Sequence, residues 1–110
     1  MARQIEFDYE GKKYCLEFSR DSIKLMERQG FDLESFTNKP MTMVDLAFEG
    51  AFLKNHRNVN SSKVREIYEN MNDKRGLANE LIAMISETYN SLFDDDENKD
   101  ETKNIGWKVV

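Results

Sequence analysis

The chain has one cysteine, one histidine, one tryptophan and one proline among its 110 residues. A single cysteine excludes an internal disulfide. One histidine, one cysteine and scattered carboxylates lack the ligand spacing of a metal site, so no metal is expected. No Gly-rich phosphate loop is present, and no cofactor is expected. Lysines and arginines do not cluster, which argues against nucleic acid as a partner. No apolar run is long enough to cross a bilayer, so no membrane partner is expected either. The opening residues, MARQIEFDYEG, are charged and alternating rather than a greasy export signal. The expected compartment is the cytoplasm.

The few chemistry-bearing residues have simpler readings. His56 follows an apolar helical stretch beside Arg57, where an imidazole sits well near the negative end of a helix dipole. Cys15 lies on a strand with no base or orienting group in its local pattern, so it reads as a small structural residue. Glu6, Asp8 and Glu17 share the polar face of a predicted hairpin. Paired carboxylates do acid–base work when burial separates their pKa values, and here alternation puts them on the wet side. The run DDDENKD lacks the ordered ligands and closing glutamate of a calcium loop. No catalytic residue is assigned and no enzyme is expected.

What is present is a soluble globular composition, 39% hydrophobic and 34% charged. Length and pattern predict one α+β domain over residues 1–93, a hairpin followed by a bundle of about four helices. Residues 3–18 alternate, with Ile5, Phe7 and Tyr9 on one strand, Tyr14, Leu16 and Phe18 on the return, and Gly11 in the turn. Helices are predicted at about 20–29, 42–56, 62–71 and 75–93. Ser19 caps the first and Gly30 stops it. The second starts at a Thr42/Asp45 capping box. It carries Val44, Ala47, Phe48, Ala51 and Phe52 in one stripe and Met43, Leu46 and Leu53 in another. A helix apolar over most of its circumference is either the central helix of the domain or part of a subunit interface. Gly50 inside it costs about 1 kcal/mol of helix propensity, a cost tolerated where something packs close to the backbone. Six methionines, the initiator included, fit ordinary core filling or an adaptable partner surface.

Residues 94–110 read as an acidic tail. They hold six acids and three lysines, so the tail carries −3 of the net −5 and the remainder −2. A run of this composition cannot bury enough surface to offset its ordering entropy, so 94–104 is expected to be mobile. Yet the chain then runs Ile105, Gly106, Trp107, Lys108, Val109, Val110, with its largest apolar side chain three positions before the last residue. Such a segment folds back locally, stays free, or meets another chain as an added strand. Tryptophan is among the residues enriched at binding hot spots.

The order of a hairpin, MERQGFDLESF, KPMTMVDLAFEGAFLKNH, a helical remainder, an acidic stretch and a Trp-containing end resembles the small tail assembly chaperones of long-tailed phages and prophages of Gram-positive bacteria. The resemblance runs over most of the chain. Its most specific pieces are Glu27–Phe31 and Lys39–His56. It implies a non-enzymatic role in the host cytoplasm: self-association as a homo-oligomer, coating of the tape measure protein until the tail tube forms around it, and absence from the mature virion. It supplies no residue-level motif. On physical grounds the residues expected to matter are Phe48, Ala51 and Phe52, for packing or interface, and Ile105, Trp107 and Val109, for a docked tail. Two other classes compete. A structural tail component of the virion fits poorly, because tube subunits are β-rich. A small acidic regulator mimicking DNA charge needs a dense acidic surface on a folded part that carries only −2.

Overall fold

The computed structural model describes residues 3–91 and 105–110. Two antiparallel strands, β1 (Ile5–Tyr9) and β2 (Lys12–Leu16), precede four helices: α1 (Arg20–Arg28), α2 (Pro40–Ala51), α3 (Ser61–Glu69) and α4 (Lys74–Ser91). A 3₁₀ turn, Leu33–Phe36, lies between α1 and α2. The fold is α+β, as alternation followed by helical periodicity predicts.

The strands pair in the register Ile5↔Leu16 to Tyr9↔Lys12. The two-residue loop needs positive φ at both positions, and Glu10 (51°) and Gly11 (78°) supply it. Tyr14, Leu16 and Phe18 are buried, while Ile5, Phe7 and Tyr9 are half-buried against the same core. Arg3 pins the start of β1 to α4 through Glu80 (3.4 Å) and Glu87 (2.8 Å). At the other end the Tyr9 hydroxyl donates to Glu66 on α3 at 2.6 Å. Lys63 bridges Glu66 to Glu10 in the turn.

Ser19 caps α1 in a full capping box with Ser22: the Ser22 amide donates to Ser19 Oγ and the Ser19 amide to Ser22 Oγ. The helix stops as expected. Gly30 (φ 102°) donates to the Glu27 carbonyl and Phe31 to the Met26 carbonyl, the paired bonds of a Schellman ending.

α2 is the central helix, touching α1, the 3₁₀ turn, α3 and α4. Met43, Ala47, Phe48, Gly50 and Ala51 on it are all buried, with Phe52 just beyond. Its ends differ from expectation. The helix begins at Pro40, whose missing N–H is harmless at the first helical position, and no side chain caps it, so the Thr42/Asp45 box is not used. It ends at Ala51 rather than 56, and residues 52–55 continue as turns. Gly50 marks a close approach. A Cβ there would lie 2.2 Å from Met26 Sδ and 2.5 Å from its Cγ, so α1 and α2 meet at van der Waals distance only because residue 50 has no side chain.

Aromatic rings run through the core from sheet to helices. Phe7 stacks on Tyr14 (5.2 Å), Tyr14 meets Phe52 edge-on (5.9 Å), and Phe48 meets both Phe52 (5.2 Å) and Tyr68 of α3 (5.3 Å). Asn60 caps α3, accepting from the Lys63 amide at 2.8 Å. α4 buries Leu77, Leu81, Met84 and Ile85. Residues 92 and 93, the end of the helix predicted over 75–93, and the acidic stretch 94–104 lie outside the described residues.

Candidate functional site

Two places were singled out in the sequence, and the structure treats them oppositely. Phe48, Ala51 and Phe52 are 1%, 0% and 2% exposed. They pack and offer almost no surface to a partner: α1, α3 and α4 contact α2, and only Val44 of the stripe is half-buried. Of the two roles expected for this helix, the structure assigns the central one. Ile105, Trp107 and Val109 are 84%, 84% and 88% exposed, and Val110 is exposed as well. The methionines divide likewise: Met26, Met43 and Met84 are buried, whereas Met41 is exposed at the start of α2.

The chemistry-bearing residues come together in a way the sequence does not announce. Glu17, expected on the wet face, is buried, at 6% exposure. Its carboxylate accepts from Lys54 Nζ (2.8 Å), Asn55 Nδ2 (2.8 Å) and Gln4 Nε2 (3.2 Å). The turns after α2 cause this by crossing the outer edge of β2. There the Glu17 amide donates to the Ala51 carbonyl (3.2 Å), Asn55 Nδ2 donates to the Cys15 carbonyl (3.1 Å), and the Cys15 amide donates to His56 Nε2 (2.9 Å). Because Nε2 accepts, the ring proton sits on Nδ1. His56 therefore engages the backbone of Cys15 and not its thiol. Burial, then the Glu17 and Glu6 charges, push that thiol upward, away from the thiolate a nucleophile needs.

Lys54 and then Asn55 hold the Glu17 carboxyl below the usual carboxylate range, against its burial. Burial, then the Lys12 charge, hold the His56 imidazole below its ordinary value. Each group takes up its proton at higher pH in the unfolded chain than in the folded one. Each therefore contributes stability that is complete above its unfolded pKa and lost as pH falls through its folded pKa. Protonation at Nε2 also removes the acceptor for the Cys15 amide. Stability is expected to decline in acid in two steps, the first below about pH 6.5 from His56 and the second below about pH 4.5 from Glu17. Urea unfolding followed by circular dichroism at a series of pH values measures it, and His56→Gln removes the first step only.

The hairpin has two edges: that of β2 is covered in part, and that of β1 is open. In an antiparallel ladder the outward backbone groups alternate with the paired ones. The register sends those of Cys15 away from β1, where Asn55 and His56 take them. The same register sends the amides and carbonyls of Glu6 and Asp8 away from β2, where none has a hydrogen-bond partner among the described residues. An edge strand of this kind is a ready template for another strand. A two-stranded hairpin always leaves such an edge unless a loop covers it. The sequence showed the hairpin but not which side the 52–56 segment would close.

Among the described residues no three His, Cys, Asp or Glu side chains form a group able to hold a metal, and no helix is long and apolar enough to cross a membrane. A cleft of about 160 Å³ beside His56 is below the roughly 300 Å³ at which small-molecule sites begin. Fold and surface define a small α+β protein with a closed helical core, one open strand edge and an exposed apolar segment at its C-terminal end. Over residues 1–110 the chain belongs to the family described as a domain of unknown function (DUF5055). No curated protein and no solved structure matches it.

Proposed function

We propose that the protein is a phage tail assembly chaperone: non-enzymatic, self-associating, and acting in the host cytoplasm on the tape measure protein without remaining in the virion. The observation that carries this reading is the exposure of Ile105, Trp107 and Val109 at the end of an acidic stretch, while the body of the domain buries its own apolar face. A soluble domain gains nothing for its own stability from a solvent-exposed tryptophan. A protein that must hold aggregation-prone helices in solution gains an adaptable apolar grip, and the acidic stretch keeps the complex soluble. The order of elements that resembles the tail assembly chaperones supports the same role.

The test is co-expression with the tape measure protein. The full chain is expected to keep that protein soluble and to co-purify with it. Trp107→Ala is expected to weaken the complex about thirtyfold, the loss of a hot spot of about 2 kcal/mol. An insoluble tape measure protein in the presence of the full chain rejects the reading. Recovery of the chain from purified particles moves it to the structural tail components.

A further inference from the structure

We propose that the segment Ile105–Val110 of one copy adds as a third strand to the open edge of β1 in a second copy. The proposal rests on reading the tail as adhesive, and it identifies what the tail grips in the absence of a client.

Three observations point to this pairing. First, the edge is built and vacant among the described residues: the outward amides and carbonyls of Glu6 and Asp8 have no partner, while the opposite edge is crossed at Cys15 and Glu17 by Asn55, His56 and Ala51. Second, the two patterns match. Residues paired across strands share a face. β1 presents Ile5, Phe7 and Tyr9 toward the core and Glu6 and Asp8 toward solvent, with the three apolar residues only half-buried. The tail alternates Ile105, Trp107 and Val109 with Gly106, Lys108 and Val110. Laid along β1 in apolar register, the first set extends the core-side face and Lys108 falls opposite Glu6 or Asp8. A slip by one residue would put Trp107 opposite a carboxylate and Lys108 against the apolar face, so the register is specified. Third, the tail does not use the edge of its own copy. Glu87 at 2.8 Å from Arg3 places the end of α4 near the start of β1, and the chain from Ser91 to Ile105 can extend about 45 Å, so the edge is within reach. Within the single chain Trp107 nonetheless stays 84% exposed. With its own edge unused, the pattern match and the Lys108 charge pairing point to a neighbour's tail as the occupant. Reciprocal exchange between two copies pairs β1 in both, the closed arrangement of a two-fold pair, and leaves as the outer edge only the short tail strand.

The full chain alone, without any client, tests this, so failure here leaves the tape measure experiment untouched. Trp107 is the only tryptophan, so its emission reports docking directly. Emission is expected to shift to shorter wavelength as concentration rises, in step with dimer formation by sedimentation. Lys108→Glu is expected to raise the dimer dissociation constant about thirtyfold, because the reciprocal pair loses two cross-strand charge pairs of about fivefold each, and Glu6→Lys or Asp8→Lys in the same chain to restore it. In a Cys15→Ser background, mixing Lys108→Cys chains with Glu6→Cys or Asp8→Cys chains is expected to yield a disulfide-linked heterodimer. The first pairing marks an antiparallel strand and the second a parallel one. Emission that ignores concentration overturns the inference. So does a crosslink that forms only within one chain carrying both cysteines, which would place the tail on its own edge.

Discussion

Phe48→Ala is expected to lower the unfolding free energy by about 3–5 kcal/mol, a large part of the 5–15 kcal/mol of a typical domain. Phe48 is 1% exposed and joins two aromatic contacts, one to Phe52 at its own helix end and one to Tyr68 on α3. Removing the ring leaves a cavity where α2 and α3 meet, and Phe52, held against Tyr14 and His56, cannot collapse into it freely. Urea unfolding by far-ultraviolet circular dichroism measures the change. Trp107 is a poor reporter of it, because it lies outside the folded core. Client capture by the folded fraction is expected to be unchanged. Were Phe48 a docking residue instead, the substitution would reduce binding at little cost in stability.

Gly50→Val is expected to cost about 3 kcal/mol, although valine is the better helix former of the two. The first added carbon falls 2.2 Å from Met26 Sδ, and Met26 is fully buried, so its side chain has no free space to enter. The sharper form of this test reverses sign. Gly50→Ala in the native chain is expected to destabilise by about 1–2 kcal/mol, the overlap with Met26 exceeding the gain in helix propensity. In a Met26→Ala background the overlap is gone, and the same Gly50→Ala change is expected to stabilise by up to about 1 kcal/mol relative to Met26→Ala alone. Thermal unfolding of the four proteins gives the cycle. Equal effects of Gly50→Ala in both backgrounds would place the helix contact elsewhere.

Much of this architecture can be read from local pattern. Alternation of Ile5, Phe7 and Tyr9 against Tyr14, Leu16 and Phe18 defines the hairpin and its buried face. Ser19 and Gly30 bracket α1. Gly50, an expensive residue inside an apolar helix, announces a close neighbour, and Met26 is that neighbour. What local pattern does not carry is the return of a segment from a distance. Glu17 alternates like an exposed carboxylate, and it is buried only because Lys54 and Asn55 arrive from beyond α2 to neutralise and hydrogen-bond it. His56 and Cys15 each read as isolated, and the same segment joins them through a backbone amide. The apolar stripe of Phe48, Ala51 and Phe52 fits a core and an interface equally well until the surrounding helices are placed. For the tail, composition left folding back, staying free and docking all open, and the structure shows Ile105, Trp107 and Val109 exposed.

The chain is best understood as a folded body that is complete in itself, joined to a short apolar segment that is not. Incorporation of 5-fluorotryptophan puts a single ¹⁹F label at Trp107, the one tryptophan of the chain, and its resonance in the presence of the tape measure protein tests that division most directly. The account predicts that the signal shifts and broadens on complex formation while the circular dichroism of the body is unchanged. A complex that forms with the Trp107 resonance at its solvent-exposed position would contradict it.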